Sequence, residues 1–366
     1  MHSRGLFGSV LYRNRLVAKR LLAVLNRVLP RLWARKLRNV AEVVAFRMTP
    51  HYQGETLPPI FHYWSERYVR PLLKRHGFES PEHFYLAKLV EEAARIDGRM
   101  RVMSLGSGAC SLEIQLVRSL AEQGIDVDFE CIDLNEALML SAKEAARSAG
   151  VDRRMRFSVA DVNHGLEGKS VDVIIVNQFF HHVEDLEAMV SRIRAAIHPR
   201  GLVLTSDVIG RNGHLLWPSV EAGVQQYWSE LPADKRFDRF TNSSPKIYVA
   251  ENHASYSNEG IRAQDVVTAL LAELDFEVFL TYAGAIVPFV ERRVGFNFDP
   301  DSAPDREFID RVARQDATAI HEGTYPPSSL LGALRWKGAT SEELLDPISP
   351  SQYLAAIARE LELSMK

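Results

Sequence analysis

The chain has 366 residues, of which 46% are hydrophobic and 25% are charged. This composition is typical of a globular protein and excludes a disordered, collagen-like or coiled-coil chain. The sequence contains no run of 18 uncharged apolar residues, so it predicts no transmembrane helix. Its two cysteines, Cys110 and Cys131, exclude a disulfide framework and a four-cysteine zinc site, and they favour a reducing, cytoplasmic location.

The formal net charge of −3 hides a strong asymmetry. Residues 1–41 contain ten Lys or Arg and no Asp or Glu, so the remaining 325 residues carry 34 basic and 47 acidic side chains. Apolar residues at helical spacing predict an amphipathic helix at 10–38, kinked at Pro30. Three roles stay open for this basic arm: a lid or dimer surface, contact with an anionic membrane surface, or a targeting peptide.

Helical patterns continue through the first hundred residues. A Pro- and Gly-containing linker is predicted at 48–57, followed by helices at 60–74 and 81–96. Ser80 is the expected N-cap of the second of these helices, with Pro81 in its first turn. From residue 102 the pattern changes, because short apolar strands alternate with helices, which is typical of βαβ units and a parallel sheet. The predicted strands cover 102–105, 127–133, 155–159, 171–176 and 201–206, and the predicted helices 112–122, 136–149 and 186–197.

Two insertions interrupt this alternation, at about 208–260 and 285–325. The first contains few clear strands, and the second contains one predicted helix at 306–320. Outside the insertions, the sequence predicts a helix at 263–274, strands at 277–282 and 330–336, and a closing helix at 350–363 that Ser349 or Ser351 caps. The chain therefore divides into a helical region at 1–97, an α/β domain at 98–340 and a C-terminal helix within 341–366.

The first α/β strand ends in Gly106-Ser107-Gly108, immediately before a helix. Glycines at such a turn let the backbone approach a ligand closely, and the helix N-terminus offers free N–H groups. Ser111 occupies the position of the third glycine in a dinucleotide fingerprint, which disfavours a nicotinamide-dependent oxidoreductase. A tight turn with no ligand is the alternative role of these glycines.

Polar residues also follow the next three predicted strands. Asp133 ends the second strand, where its carboxylate can accept hydrogen bonds from ribose hydroxyls; helix capping is its alternative role. Asp161 and Val162 follow the third strand, where a carboxylate and a backbone N–H match an adenine amino group and a ring nitrogen. Asn177 ends the fourth strand, and the helix end, turn and strand at 197–204 complete the series.

These five motifs, in this order over about residues 100–340, resemble those of the class I S-adenosylmethionine-dependent methyltransferases. The resemblance implies a Rossmann-like, seven-stranded sheet whose last strand is antiparallel. It also implies that S-adenosylmethionine lies over the carboxyl ends of the first strands, with the glycine turn at its methionine part. The positions that the resemblance assigns to the donor are Gly106, Ser107, Gly108, Asp133, Leu134, Asp161, Val162 and Asn177.

His181 and His182 follow the fourth strand, where the donor and acceptor pockets of this fold meet. Methylation of a hydroxyl requires removal of its proton, and a neutral imidazole with a pKa near ~6.5 suits that task. In the small-molecule O-methyltransferases that the chain resembles, a His-Asp pair supplies the base at this place. His181 matches the histidine of that pair, whereas His182 replaces the aspartate, so a catalytic role is predicted for both and either can be the base.

Acceptor-binding residues in this fold often follow the fifth strand and come from the insertions. Arg211, Asn212, His214 and Trp217 are therefore predicted to line the acceptor site, with stabilisation of a lid as the alternative. Glu259 is a weaker candidate, for which helix capping is an equal alternative. No spacing of His, Cys or carboxylate residues along the sequence argues for a metal site.

The sequence thus predicts a methyltransferase acting on a hydroxyl of a small-molecule or glycan-precursor acceptor, with a histidine base. Nucleic-acid or amine N-methylation is the alternative within the fold, suggested by the basic arm and by the tetrad Asn177-Gln178-Phe179-Phe180. That tetrad lacks the two prolines of the Asn-Pro-Pro-Tyr/Phe motif, and the acidic body disfavours a nucleic-acid partner. An oxidoreductase or a catalytically inactive binding protein are the alternatives outside the fold. Peripheral membrane contact and self-association through residues 1–41 stay open.

Overall fold

The computed structural model describes residues 57–162, 166, 168–339 and 344–365. The basic arm with its predicted helix, and nearly all of the 48–57 linker, lie outside the described residues. The strands are β1 Met100–Leu105, β2 Val127–Asp133, β3 Met155–Val159, β4 Val171–Asn177, β5 Ile197–Val208, β6 Leu274–Tyr282, β7 Ser329–Trp336 and β8 Leu344–Asp346. The α-helices are α1 Pro59–Trp64, α2 Arg70–Arg75, α3 Pro81–Ala93, α4 Ser111–Glu122, α5 Glu136–Ser148, α6 Leu186–Ala196, α7 Pro218–Glu230, α8 Val266–Glu273, α9 Val287–Val290, α10 Ala303–His321 and α11 Pro350–Ser364.

The strands form one mixed sheet in the order β3-β2-β1-β4-β5-β7-β6-β8. Strands β1 to β5 are parallel to one another, whereas β7 runs antiparallel to both of its neighbours, β5 and β6. The predicted α/β class with an antiparallel seventh strand is confirmed. The predicted number of seven strands is one too few, because β8 pairs in parallel with β6 at the edge of the sheet. Three residues are too short a run to show a strand period in the sequence.

The centre of the sheet explains why the strand predictions succeed there. In β4, the side chains of Val173, Ile174, Ile175 and Val176 are fully buried. Helices cover both faces of a parallel sheet, so such a strand is apolar on both sides instead of alternating. Burial of each of these side chains contributes roughly 1.5–3 kcal/mol, which fixes β4 in the middle of the core.

The helices that precede β1 are attached to the sheet by buried ion pairs. The Lys88 ammonium on α3 contacts Glu277 on β6 at 2.9 Å. Arg335 on β7 donates to Glu92 on α3 at 2.8 Å and to Glu277 at 2.6 Å. Ser80 caps α3 as predicted, because its hydroxyl accepts from a backbone N–H of the first turn at 3.1 Å. These contacts attach the C-terminal half of α3 to the first half of β6 and to the end of β7.

The first insertion contains a helix that the sequence pattern did not predict. Pro218 begins α7, and its buried residues include Val220, Val224 and Trp228, which are four residues apart. In the second insertion, α10 confirms the predicted helix and extends it by a few residues at its start. Among the described residues, no helix combines the length and the apolar composition that crossing a bilayer requires.

Candidate active site

The turn after β1 depends on two glycines with left-handed backbone conformations. The φ angles of Gly106 and Gly108 are 66° and 53°, and the N–H groups of Gly106 and Ser107 donate to the carbonyl of Ile132 at 2.8 and 3.2 Å. A Cβ on Gly106 would lie 2.2 Å from the ring of Phe179, whereas a Cβ on Gly108 would meet no atom within 4 Å. Packing against Phe179 therefore requires a glycine at position 106, whereas Gly108 leaves space beside the backbone.

Asp133 connects this turn to the end of β2. Its carboxylate accepts from the N–H of Gly108 at 2.9 Å and from the N–H of Asn135 at 2.8 Å. Asn135, and not Asp133, caps α5, because its side chain accepts from two N–H groups of the first turn. The alternative role of Asp133 as the helix cap is therefore filled by Asn135.

Exposed apolar side chains lie beside Asp133 at the carboxyl ends of β2 and β3. Leu134 is 50% exposed and Val159 is 52% exposed, and Val159 is paired with Asp133 in the sheet register. Val162 follows β3 and is buried, and Asp161 precedes it. Apolar surface next to a carboxylate fits a nucleoside, whose base needs an apolar contact and whose ribose needs acceptors. The residues at this edge thus fit the donor that the sequence predicts.

Asn177, at the end of β4, accepts a hydrogen bond from the hydroxyl of Tyr85 on α3 at 3.0 Å. A cavity of about 230 Å³ adjoins this pair, lined by Pro81, Glu82, Tyr85, Ser111, Leu112, Gln115 and Asn177. A larger cleft of about 380 Å³ lies at the opposite, amino-terminal edge of the strands and is mostly charged. Ligands of open α/β sheets bind at the carboxyl ends of the strands, which makes the smaller cavity the relevant one.

A cluster of histidines and carboxylates follows β4 and β5. His181 Nδ1 lies 2.6 Å from Asp207 Oδ1, and its Nε2 lies 3.2 Å from Glu259 Oε1. His214 Nε2 contacts the same Glu259 oxygen at 2.8 Å. His182 is adjacent, with its ring centroid 4.1 Å from that of His181 and its Nε2 3.6 Å from Glu259 Oε2. The cluster thus surrounds one buried imidazole with two carboxylates.

Asp207 is itself held by the backbone that follows β4. It is 1% exposed and accepts from the N–H groups of Phe179, Phe180 and Val208 at 3.1, 2.8 and 2.8 Å. These bonds leave the carboxylate with one orientation and offset the cost of its burial. Asp207 therefore fixes which nitrogen of His181 points towards Glu259.

The cluster perturbs the pKa values of its members in opposite directions. Burial alone would lower the pKa of His181, but the carboxylates of Asp207 and Glu259 raise it to about 10. Burial and the neighbouring His181 lower the pKa of His182 to about 4. Burial works against ionisation of Glu259, yet the hydrogen bonds from His181 and His214 hold its pKa well below its usual range. While Glu259 stays in contact, His181 holds a proton on both ring nitrogens and His182 does not, so the two adjacent histidines differ in charge.

A second buried carboxyl group lies under the glycine turn. Glu113, on α4, accepts from the hydroxyl of Ser104 at 2.7 Å and is 3% exposed. Burial raises its pKa to about 7, the hydrogen bond from Ser104 works against this, and the charge of Asp133 adds to it. The floor of the predicted donor site therefore contains a group that titrates near neutral pH.

Of the four predicted acceptor residues, His214 reaches the histidine cluster. The guanidinium of Arg211 lies 6.0 Å from the ring centroid of Trp217, which is 2% exposed. Asn212 exchanges two hydrogen bonds with Gln264, at 3.1 and 3.2 Å, and so joins two loops. An acceptor role for these residues stays a prediction, and the described geometry gives Arg211, Asn212 and Trp217 structural contacts.

Sequence reasoning did not single out Asp207 or Tyr85, and it gave Glu259, which contacts two histidines, only as a weaker candidate. Asp207 lies near the end of β5, which neighbours β4, so its position at the carboxyl edge was an available signal. Tyr85 lies on α3, 92 residues before its partner Asn177, and no local pattern distinguishes it. Glu259 and His214 come from insertion loops, so their approach to His181 depends on tertiary packing.

Comparisons with known proteins show which sequences this chain resembles. Residues 96–251 match the sequence model of a family described as a methyltransferase domain. The PKS-NRPS hybrid synthetase cheA of Chaetomium globosum is 26% identical over 207 residues, which are 54% of this chain and 4% of the synthetase. The non-reducing polyketide synthase sorB of Penicillium rubens is 24% identical over 151 residues, 39% of this chain and 5% of the synthase. The chain thus spans a small part of the length of these relatives.

Among solved structures, the chain is similar to a geranyl diphosphate C-methyltransferase from Streptomyces coelicolor A3(2), in complex with Mg²⁺, geranyl diphosphate and S-adenosyl-L-homocysteine. The identity is 11% and the TM-score 0.39, with 69% of this chain and 79% of that chain covered.

Proposed function

This chain carries a class I S-adenosylmethionine-dependent methyltransferase domain, and on that premise we propose that it methylates a hydroxyl group of a small-molecule or glycan-precursor acceptor. When bound, S-adenosylmethionine supplies an electrophilic methyl group on a sulfonium sulfur. The observation that carries the proposal is the buried pair of His181 and Asp207 directly after β4. A hydroxyl needs a proton acceptor at this place, and an oriented imidazole can provide one.

We assign the donor side of the site to the carboxyl ends of β1 to β4. The turn at 106–108 would contact the methionine part, and Asp133 would accept hydrogen bonds from the ribose. Leu134 and Val159 would supply apolar surface, with Asp161 and Val162 at the edge of the base. The exposure of Leu134 and Val159 supports this assignment, because a bound nucleoside would remove apolar surface from water.

His181 is the residue that we assign to removal of the acceptor proton. Its Nδ1 is held by Asp207, so Nε2 is the nitrogen that faces the region of Glu259. Glu259 belongs to a loop and its side chain is 40% exposed, so it can turn away when an acceptor hydroxyl takes its place. Its departure removes one of the two carboxylates that raise the pKa of His181, so that Nε2 can release its proton to solvent and become a proton acceptor. The proton would then pass from the acceptor oxygen to Nε2, while Asp207 stabilises the imidazolium that forms. His182, beside it, is the second candidate for this role.

The surrounding protein supports an enclosed acceptor site. The segments 212–214 and 253–260 come from the first insertion and lie against each other, with the N–H of Gly213 donating to the carbonyl of Gly260 at 2.7 Å. Exclusion of water strengthens the electrostatic contacts at the reacting atoms and holds the acceptor in line with the methyl group. A small acceptor fits such a site better than a polyanion does, because the sequence outside the basic arm is acidic.

The donor assignment is tested by calorimetric titration with S-adenosylhomocysteine and, separately, with NAD. We expect binding of S-adenosylhomocysteine and none of NAD. Binding of NAD without binding of S-adenosylhomocysteine would overturn the proposed function. The acceptor is then sought by incubating the protein and S-adenosylmethionine with a panel of phenols, sugars and polyols, followed by mass spectrometry and NMR. Methylation of nitrogen or carbon, with oxygen untouched, contradicts the hydroxyl assignment.

The base assignment is tested with His181→Ala and His182→Ala, and with His321→Ala as the control, since His321 lies exposed on α10. We expect His181→Ala to lower kcat by roughly 10²–10⁴-fold, the usual contribution of a general base. Affinity for S-adenosylhomocysteine should stay that of the wild type, which shows that the donor site is intact. Loss of turnover in His182→Ala alone would transfer the role to His182. Full turnover in both variants would remove a histidine base from the mechanism.

A further inference from the structure

We propose that His181, His214 and Glu259 form a binding site for one divalent transition-metal ion, and that this ion excludes proton transfer at His181 Nε2. The first part stands on the geometry of the cluster alone. The second part rests on the proposed function, because it concerns the nitrogen that we assign to proton removal. Metal and acceptor proton would then compete for the same atom, so the ion is expected to inhibit methyl transfer.

The spacing of the three side chains is that of a metal site. One ligand atom from each residue lies within 4.8 Å of the other two. The Glu259 oxygen lies 2.8 Å from Nε2 of His214 and 3.2 Å from Nε2 of His181. Ligands at about 2.0–2.1 Å from a tetrahedral ion are separated by roughly 3.3 Å. The two contacts to Glu259 would need shifts of a few tenths of an ångström, and the two imidazole ligand atoms, which lie within 4.8 Å of each other, would move together to hold the ion. Three protein ligands leave a fourth position for water or substrate.

The charges of the cluster require either a proton or a metal ion between these atoms. With its Nδ1–H donated to Asp207, a neutral His181 directs the lone pair of Nε2 at the Glu259 oxygen, which is also electron-rich. The contact is favourable when either a proton or a metal ion lies between the two atoms. A divalent ion would also balance the two carboxylates, Asp207 and Glu259, that the site brings together.

Asp207 prepares His181 for metal binding in the way that outer carboxylates commonly do. A metal-binding histidine usually donates its other ring N–H to a carboxylate or carbonyl, which fixes its tautomer and orientation. Here the distance from Nδ1 to Asp207 Oδ1 is 2.6 Å, and backbone N–H groups hold Asp207 in turn. The buried half of the site is therefore preorganised.

The backbone at His214, the second histidine of the cluster, has a strained conformation. His214 has a φ of 57°, and Gly213 before it has a φ of 73°. A left-handed conformation is uncommon for a residue other than glycine and costs roughly 1–3 kcal/mol, so the surrounding structure must hold it in place. In this conformation, Nε2 of His214 lies 2.8 Å from Glu259 Oε1.

Two imidazoles and one carboxylate select the type of ion. Nitrogen ligands suit Zn²⁺, Co²⁺, Ni²⁺ and Fe²⁺, whereas Mg²⁺ and Ca²⁺ prefer oxygen ligands alone. Zn²⁺ and Co²⁺ are therefore the probes of choice, with Mg²⁺ as the negative control. No sequence pattern indicates this set, because its members are 33 and 45 residues apart and lie in different loops.

Metal binding is tested on chelator-treated protein without donor or acceptor. We expect calorimetry with Zn²⁺ and the visible absorption of Co²⁺ to report one ion that His214→Ala and Glu259→Gln lose and that His321→Ala keeps. The variants should retain wild-type affinity for S-adenosylhomocysteine, which separates loss of the metal site from misfolding. The proposal would be overturned if the wild type bound no ion, or if His214→Ala and Glu259→Gln bound the ion as tightly as the wild type does.

Inhibition is tested by adding Zn²⁺ to the methyl-transfer assay of the chelator-treated wild type. We expect turnover to fall and to return when the chelator is added, and we expect the remaining turnover of His214→Ala to be insensitive to Zn²⁺. Turnover that rises with Zn²⁺ would contradict competition at Nε2. A wild type that turns over but binds no Zn²⁺ would remove this inference and leave the proposed function intact. An ion bound at the cluster, with no turnover on any hydroxyl acceptor, would leave the metal site standing and contradict the proposed function.

Discussion

The two glycines of the turn after β1 predict different effects of the same substitution. Alanine at either position must adopt a left-handed backbone conformation, which costs about 1–2 kcal/mol. At Gly106 the new Cβ would also lie 2.2 Å from the Phe179 ring, where carbon atoms normally keep ~3.5–4.0 Å apart. Overpacking of this kind costs typically about 1–3 kcal/mol. The free energy of unfolding should therefore fall by roughly 2–5 kcal/mol in Gly106→Ala and by about 1–2 kcal/mol in Gly108→Ala.

Urea unfolding of both variants checks these values, and titration with S-adenosylhomocysteine reports the donor site. A double-mutant cycle with Phe179→Ala isolates the steric part, because removal of the ring should relieve the loss in Gly106→Ala but not the loss in Gly108→Ala. If both glycine variants lost the same free energy of unfolding, with no coupling to Phe179, the steric conflict between a Cβ at position 106 and the Phe179 ring would be refuted.

Three further substitutions test the site and its attachment to the sheet. Because the pKa of Glu113 is raised, the native state keeps a proton that the unfolded chain loses. The free energy of unfolding therefore falls as pH rises from about 4.5 to about 7. Relative to Glu113→Gln, the wild type should lose roughly 3 kcal/mol between pH 4 and pH 8 in urea unfolding; a constant difference would contradict this pKa. Tyr85→Phe removes the hydrogen bond to Asn177 and should weaken S-adenosylhomocysteine binding several-fold in calorimetry, since such a bond contributes about 1 kcal/mol. Arg335→Met removes the 2.8 Å partner of the buried Glu92 carboxylate and leaves Glu277 with Lys88 alone, so it should cost about 3–5 kcal/mol in urea unfolding, whereas exposed Lys337→Met should cost little.

The parts of the fold that the sequence predicted are those whose local pattern is strong. The run in β4 is apolar throughout because helices cover both faces of the sheet, and each glycine after a helix or strand marks a turn. The helix α7 was missed because the surrounding insertion is rich in Trp, Pro and Gly, which dilute its helical spacing. The strand β8 was missed because three residues form a strand only through their pairing with β6.

The same distinction separates the two halves of the candidate site. The common edge of the residues assigned to the donor could be predicted, because each of them ends or follows a parallel strand and the carboxyl ends of such strands share one edge. The cluster around His181 could be predicted only in part. His214 and Glu259 are brought to it by loops that pack on each other, and the contact of Gly213 with Gly260 has no signature in either segment alone.

Glu259 is the residue at which the catalytic and the metal-bound forms of the site differ. Proton removal requires its carboxylate to leave Nε2 of His181, whereas a bound ion requires it to stay. Glu259→Gln keeps the size of the side chain but removes its charge, so it should abolish Zn²⁺ binding. The Asp207–His181 pair is untouched by this change, and methyl transfer should therefore be measurable and insensitive to Zn²⁺. Sensitivity to Zn²⁺ equal to that of the wild type would show that the ion acts elsewhere, and complete loss of turnover with donor affinity retained would make Glu259 part of the proton transfer itself.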